Sequence, residues 1–428
     1  MKKTLTALVS VVCCALVLTA CADPKAFSDD ERLSDNTERS DDITVTFHFD
    51  NGNTEPPSSY NTFANSITGF ELKQFRSACL SNGGSFVFSP ASSTLQTTML
   101  ASAASQELRQ EILLAVGGEL GVDDLNRGAS YFKSRMESVS SLGLKKNEKP
   151  DNYVKLDGAM LIDDSIDVKT AYLQTVKNYV NYDIFRFDFD GENALDKVNG
   201  YLSAYSKQPE ISLKNGTVNL VSTGNICDAW LNRYAKADIA KSTFHGANGN
   251  QTLDFMTSNE SMIQSDTATG IVKYTADNPL KLVMIMPKDA KKLDEYIKNF
   301  DAEELSTLLN SVDVTKTATA VIPSFSVTSP KTAVASSGIL SKSGLYSLFG
   351  KEAGFSSMSY TEKATVGEMY EIRPDFTLNA GGINRSDTSL ADKSTVSKTD
   401  ATVTFDHPFI FMLADNESNI PVWMGVYQ

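Results

Sequence analysis

The sequence predicts an α+β fold built as one large domain, and three observations predict it. Of its 428 residues, 41% are hydrophobic and 21% charged, enough apolar material for a large core and too ordinary a mixture for a tail or a fibre. Helical and strand signals follow one another without an internal repeat, the helices gathered early and the strands far apart in sequence. The last fifty residues, Asn379 to Gln428, begin with a long polar stretch and end in two buried-strand runs, Phe409-Ile410-Phe411-Met412-Leu413 and Val422-Trp423-Met424-Gly425-Val426-Tyr427, around an Asp415-Asn416 turn. A loop of about twenty residues without apolar periodicity, held at both ends by core elements, is usually either functional or disordered.

The chain opens with an export signal: Lys2-Lys3, an apolar run from Leu5 to Leu18, then Leu18-Thr19-Ala20-Cys21. That run is short for a membrane span, and Leu-x-Ala-Cys resembles a bacterial lipobox, which implies a signal peptide over residues 1–20, cleavage before Cys21 and lipid on its thiol and amine. The expected location is the cell envelope, lipid-anchored at the outer membrane and open to surface display. Residues 21–60 are polar and acidic, with Ser28-Asp29-Asp30-Glu31 and Asp41-Asp42, as in a solvated tether. Within them Thr44-Val45-Thr46-Phe47-His48-Phe49 alternates like a strand and has no evident partner. The formal charge of −14 falls to −16 once Lys2 and Lys3 leave with the signal peptide, so nucleic acid and an anionic membrane face are disfavoured partners.

The folded part, residues 61–428, opens with a helix marked by Phe70, Leu72, Phe75 and Leu80, then a strand Ser85 to Phe88 stopped by Ser89-Pro90. A small-residue helix, Leu95 to Ala104, precedes a capped helix from Ser105 that ends at Gly117-Gly118. Strand, helix, strand follow at Val154–Ile162, Val168–Val180 and Ile184–Phe189. Asp188-Phe189-Asp190-Gly191 lacks the further ligands of a calcium loop and reads as a turn. A helix Leu195–Tyr205, a long strand Val218–Ala229, hairpin strands at Thr252–Met256, Thr267–Tyr274 and Leu280–Met286, two short helices at Leu293–Phe300 and Glu303–Leu309, and an alternating strand Ala318–Val327 complete the middle.

Sequence motifs for enzymatic chemistry are lacking. The three histidines, His48, His245 and His407, stand far apart in sequence and match no metal-ligand pattern, so no metal and no cofactor is expected. There is no nucleophile elbow and no phosphate-cradling glycine loop, so a hydrolase or nucleotide enzyme is not expected. With Cys13 and Cys14 in the signal and Cys21 acylated, Cys79 and Cys227 remain, among apolar neighbours, their pairing left open. Trp230 and Trp423 read as core or interface aromatics.

His407-Pro408-Phe409-Ile410-Phe411, then Asp415-Asn416, Ile420-Pro421 and Met424-Gly425, resemble the carboxyl-terminal signature of the serpins. Further matches fall in family order: Phe88-Ser89-Pro90-Ala91-Ser92 with Met99-Leu100, Leu220-Val221 through Trp230, Leu282 to Pro287, Pro323 to Val327, and Gly338 through Ser359. The resemblance covers about Thr62 to Gln428. It implies a serpin-like fold with helices packed on a large central mixed β-sheet plus smaller sheets, an exposed reactive loop near the C-terminus, and a monomer whose partner is a target protease.

It also implies roles. Asn379-Ala380-Gly381-Gly382 lies on the family's Asn-Glu-Glu-Gly, so the hinge runs through Gly381, Gly382, Ile383, Asn384, Arg385, Ser386, Asp387 and Thr388. Fourteen residues after Gly382 is Val396, and eleven before Pro408 is Ser397, so the reactive bond is Val396-Ser397 or Ser397-Lys398; a cut after Lys393 would suit trypsin. The residues beneath the sheet and at its opening are Ser89, Ser92, Ser222, Trp230 and Ile372. Two departures stand out: Ser222-Thr223 replaces the family's Asn-Ala, and Ile372 replaces a histidine, so the hydrogen bonds that hold the sheet shut are expected to be altered. The hinge departs further, with Ile383-Asn384-Arg385-Ser386-Asp387-Thr388 where inhibitors carry a threonine and a run of alanines. In the family's register Ile383, Arg385, Asp387, Ser389 and Ala391 face inward on insertion. Two unpaired buried charges would oppose it by several kcal/mol each. The expected function is therefore a suicide-substrate inhibitor of serine, or cysteine, endopeptidases, the alternative being a non-inhibitory serpin-fold binding protein whose charged hinge prevents insertion.

Overall fold

Apolar residues at helical spacing make α1 (Tyr60–Ser81) the first element of the folded body: Phe63, Ile67 and Phe70 are buried in one part of the core and Leu72, Phe75 and Ala78 in another. Leu80, expected among the buried residues, is 68% exposed, because it falls out of phase with both stripes and points to solvent. In this computed structural model the described residues are 27, 31–33, 38–39, 43–44, 55–138, 152–203, 211–213, 216–277, 279–289, 292–313, 316–328, 333–350, 354–361, 364–372, 375–386 and 390–428. The signal peptide, Cys21, most of the strand expected at 44–49, and the hinge residues Asp387 and Thr388 lie outside them. A two-residue-per-strand ribbon, β1 (Glu38–Arg39) with β2 (Ile43–Thr44), precedes α1.

After β3 (Phe86–Phe88), α2 (Pro90–Ala103) begins where Ser89 caps it, its Oγ accepting from the Ser92 amide at 3.2 Å with Pro90 in the first turn. Nearly every residue of α2 is buried, and its small side chains let it lie under a sheet. Ser105 caps α3 (Gln106–Ala115) in the same way. Helix α4 (Val122–Glu137) has no counterpart among the predicted elements, although Leu125, Ala129, Phe132 and Met136 bury one face at helical spacing.

The main sheet is built from β4 (Tyr153–Asp163), β5 (Asp183–Phe187) and β6 (Val218–Ala229), with α5 (Thr170–Tyr179) and α6 (Ala194–Leu202) between them in sequence. A second sheet collects β7 (Ile239–Gly246), β8 (Gly249–Gln264), β9 (Ala268–Tyr274) and β10 (Leu280–Pro287). After α7 (Leu293–Asn299) and α8 (Ala302–Asn310), β11 (Thr317–Pro323) joins the second sheet. The chain then crosses to the first through β12 (Phe325–Val327) and β13 (Ala333–Ala335). Following α9 (Ser337–Lys342), β14 (Val366–Ile372), β15 (Phe376–Asn379) and β16 (Gly382–Ile383) complete the main sheet. Finally β17 (Thr402–Thr404), β18 (Phe409–Asp415) and β19 (Pro421–Tyr427) complete the second sheet, ordered β17-β11-β8-β9-β10-β18-β19-β3 with β7 on β8. The fold is the α+β arrangement expected, and one apolar core runs from α1 and α2 to both sheets.

The segment expected to be a solvated tether is in part docked. Leu33 is 3% exposed and its amide donates to the Ile184 carbonyl at 2.8 Å, while Arg186 donates to Glu31. Phe27 stacks on Phe185 with ring centroids 4.1 Å apart. Glu31 pairs with Lys197, and Arg32 with Asp183. These contacts cover the edge of β5. Cys79 and Cys227 are both free thiols.

Between α1 and α2, Glu71 is fully buried, one carboxylate oxygen accepting from Thr94 Oγ1 at 2.9 Å. Burial pushes its pKa well above the usual carboxylate value, and the Thr94 hydrogen bond only partly offsets this. The folded state therefore keeps a proton that the unfolded chain releases above its ordinary pKa, so this contribution is complete at low pH and is lost as pH rises toward the folded value. Glu71→Gln removes that loss. Its unfolding free energy relative to the wild type, from urea titrations, should climb as pH rises above the ordinary carboxylate pKa, by about 1.4 kcal/mol per pH unit inside the window; a constant offset would mean that Glu71 is ionised in the fold.

Candidate functional site: the hinge and the reactive loop

Strands β6 and β14 pair side by side, in parallel, from Val218 with Val366 to Ser222 with Glu371. Above Ser222 they part. At the top of the gap β15 turns back through Ala380-Gly381 into β16, which lies between β15 and β6 with Gly382 opposite Ala229 and Ile383 opposite Asp228. Asn379 organises this turn: its Oδ1 accepts from the amides of Gly381 at 2.8 Å and Gly382 at 3.2 Å, and its Nδ2 donates to the Arg385 carbonyl at 2.9 Å. Gly382 has φ +148°, and a Cβ there would stand 1.9 Å from the Asp228 carbonyl oxygen, so only glycine fits.

The hinge is thus not wholly exposed, as the sequence suggests. Ala380, Gly381, Gly382 and Ile383 are buried, and exposure begins only at Ser386. The reason is local: β15 and β6 stand apart at their tops with unpaired ladder groups, and the nearest strand that can satisfy them is the hinge itself.

Asn384 stops it. The residue sits in the left-handed region at φ 50° and turns the chain out of the sheet. Its carboxamide does what an inserted peptide group would do. Nδ2 donates to the Ile226 carbonyl on β6 at 3.0 Å, and Oδ1 accepts from the Thr377 amide on β15 at 2.7 Å. Below it the remaining gap between the strands, lined among others by Gly224, Ile226, Glu371, Asp375, Phe376 and Trp423, has a volume of about 20 Å³, room for a water molecule and not for a strand.

Outside the sheet, Arg385 donates to Asn152 at the start of β4. The Ala391 amide donates to the Tyr234 carbonyl at 2.8 Å. Val396 is half-buried, and Lys393, Ser397 and Lys398 are exposed. Asn259 on β8 grips Ser397 through both backbone groups, its Oδ1 accepting from the Ser397 amide at 2.6 Å and its Nδ2 donating to the Ser397 carbonyl at 3.1 Å. Beyond this point Thr399 bonds the Thr319 amide, and β17 pairs in parallel with β11. Sequence reasoning missed Asn259, because a lone asparagine inside a long strand carries no periodic or motif signal. Two hydrogen bonds at a partly solvated site are worth about 1 kcal/mol. Asn259→Ala should therefore speed loop cleavage by an elastase-like protease about fivefold with the melting temperature nearly unchanged, as time-resolved electrophoresis would read; an unaltered rate would show that Asn259 does not restrain Ser397.

The residues expected beneath the sheet and at its opening are all buried there. Ser89 Oγ donates to the Val422 carbonyl at 2.8 Å, Ser92 Oγ to Ser89 Oγ at 2.9 Å, and Ser222 Oγ to the Tyr370 carbonyl at 3.3 Å. Ile372, where the family has histidine, makes apolar contacts alone, and its neighbour Glu371 ties β14 to α2 instead, accepting from the Ser89 amide at 2.5 Å. No sequence pattern marks Glu371, since one carboxylate among so many in an acidic chain carries no signal by itself.

At the mouth, Trp230 Nε1 donates to the Asn379 carbonyl at 2.8 Å. The Lys273 ammonium lies 5.3 Å from the Trp230 ring centre and 4.6 Å from that of Tyr234, and pairs with Glu260 at 2.5 Å. Burial works against the Lys273 charge, but Tyr234 and Glu260 outweigh it and hold the pKa above the ordinary lysine value.

An interrupted sheet with residues 380–383 entering its top and residues 391–404 strung to the second sheet fits the architecture that the C-terminal motifs imply. The profile described as "Serpin (serine protease inhibitor)" matches residues 65–428. This chain belongs to the serpin family. An uncharacterized serpin-like protein of Methanosarcina mazei is 23% identical over 314 residues, which is 69% of this chain and 71% of the relative. The native structure of the thermophilic serpin tengpin superposes with a TM-score of 0.73 at 20% identity, covering 86% of this serpin and 94% of tengpin. The latent structure of tengpin gives 0.67, at 20% identity, with coverage of 86% and 97%.

Proposed function

We propose that this serpin is a suicide-substrate inhibitor of serine, or cysteine, endopeptidases, anchored at the bacterial envelope by lipid on Cys21. A protease would cut near Val396-Ser397 or Ser397-Lys398 and be left as an acyl-enzyme, and the freed loop would then enter the gap between β6 and β14 as a new central strand, dragging the enzyme with it. The lipobox supports the anchor. The observation that carries the inhibitory reading is the match between the gap and the charges that must enter it.

Continuing the register of Gly382 with Ala229 and Ile383 with Asp228 sets Arg385 opposite Ile226 and Asp387 opposite Gly224. On the other side, the pairing of Leu378 with Ile383 sets Arg385 opposite Phe376. Asp375, next to Phe376, lines that part of the gap, and the same register sets Glu371 further down, opposite Leu390. At Gly224 there is no side chain, and a Cβ would stand 3.3 Å from Ser92 Oγ and 3.6 Å from Trp423 Nε1. Of the two, the indole N–H of Trp423 is a hydrogen-bond donor for an incoming carboxylate, the Ser92 hydroxyl being committed to Ser89. The sequence alone presents Arg385 and Asp387 as charges to be buried unpaired; the gap offers each of them partners, which recovers part of the desolvation cost.

One observation favours the second reading, a non-inhibitory serpin. Asn384 already satisfies both flanking strands, so it must be displaced before the loop can advance, and slow displacement lets deacylation win. Incubation with elastase-like and trypsin-like proteases separates the two. The expected result is an SDS-resistant complex at the mass of enzyme plus serpin; clean loop cleavage with full residual protease activity would reject inhibition of the enzymes tested.

A further inference from the structure

We infer that His245 and His407 form a binding site for one divalent transition-metal ion of the zinc, nickel or copper kind. They are 162 positions apart in the chain, and each looks solitary there. The fold corrects that impression. The Gly246–Gly249 end of the β7–β8 hairpin folds against the connection between β17 and β18, where the His245 amide donates to the Asp406 carbonyl at 2.7 Å. The two imidazoles then lie with their centroids 5.0 Å apart and their planes inclined by 34°.

The hydrogen bonds around the rings prepare both for a metal. Nδ1 of His407 lies 2.7 Å from Asp406 Oδ1, and Nδ1 of His245 lies 3.1 Å from Asn250 Oδ1. An oxygen acceptor at Nδ1 keeps the proton there and leaves the Nε2 lone pair outward, the arrangement found around metal-bound histidines. Separation fits as well. With metal–nitrogen bonds of about 2.0–2.1 Å and a tetrahedral angle, two imidazoles bound through Nε2 have their ring centres about 5.2 Å apart. Both side chains reach solvent, His407 being 42% exposed, so an ion can enter and water can complete its shell. Imidazole nitrogen suits zinc, copper and nickel and not calcium or magnesium.

The position gives the ion a structural consequence. His407 directly follows the segment that fixes β17 to β11, where Phe405 donates to the Val321 carbonyl at 2.9 Å. Metal bridging His407 to the β7–β8 hairpin would fasten the C-terminal end of the reactive loop to the second sheet. This does not depend on whether the serpin inhibits.

The test is titration of the untagged serpin with ZnCl2 by calorimetry, and with CoCl2 by visible absorption. One ion per chain should bind to the wild type and raise its melting temperature. His245→Ala and His407→Ala should each weaken binding at least tenfold, and His48→Ala should not. Metal-free melting temperatures of the variants should match the wild type; if His407→Ala lowers its own, His245→Ala on the exposed hairpin carries the test. No binding to the wild type, or undiminished binding in His245→Ala, overturns the site.

Discussion

Cutting the reactive loop should raise the melting temperature of this serpin by more than 10 °C. Limited trypsin digestion after Lys393 or Lys398, both exposed, supplies the cut form. In the intact chain β6 and β14 share a short parallel ladder, Val218–Ser222 with Val366–Glu371, and the upper gap holds only Gly382, Ile383 and the Asn384 carboxamide. Insertion of about a dozen further residues exchanges that ladder for two antiparallel ones. Each new backbone hydrogen bond contributes about 0.5–1 kcal/mol net, so the gain is on the order of 10 kcal/mol. For a domain of this size about 1 °C accompanies each kcal/mol. Differential scanning calorimetry of cut and intact protein reads the difference. An equal or lower melting temperature for the cut form would show that the loop stays out, and the inhibitory reading would fall with it.

How much of this was legible in the sequence follows from which physics is local. Long strand β6 was legible to the residue, Val218 to Ala229, because Val218, Leu220, Val221, Thr223, Ile226 and Ala229 spread apolar and β-branched residues along its length. The C-terminal strands were legible from their unbroken apolar runs, and the helix after Ser105 from its cap residue and its Gly117-Gly118 stop. Helix α4 was not, although its buried stripe is regular, because it is interrupted by Asp123, Asp124, Asn126 and Arg127 at its start. Strand Ala318–Val327 appears as two, β11 and β12, since Pro323-Ser324 sends the chain from one sheet to the other.

The site was legible in its outline and not in its working parts. Gly382 could be read as a hinge glycine and Trp230 as the residue that ends its strand where the loop would enter, because both belong to ordered motifs. Glu371, Asn259 and the pairing of His245 with His407 arise from contacts between residues far apart in the chain, and no spacing rule reports those. Asn384 is the instructive case. As a sequence feature it is a polar residue where an inhibitor would carry a small one; in the fold its carboxamide stands in for a peptide group between two strands.

The charges behind Asn384 give the second large prediction. In the intact serpin Arg385 bonds Asn152, and Asp375 is exposed. After insertion the register sets Arg385 opposite Phe376, next to Asp375, which lines the gap. A double-mutant cycle with Arg385→Ala and Asp375→Asn should therefore show coupling near zero in the uncut form and about 1–3 kcal/mol in the cut form. Asparagine keeps the shape of the side chain, so the comparison isolates the charge. Asp375→Asn alone should weaken the cut form most, by about 3 kcal/mol, because it leaves a guanidinium buried without its counter-charge. The same variant should divert more molecules to simple cleavage when a protease attacks, since a slower advance past Arg385 gives deacylation more time. Urea midpoints of the four proteins, cut and uncut, supply the cycle. Equal coupling in both forms would place Arg385 outside the gap after cleavage, and the complementarity between hinge and sheet would then have no part in insertion.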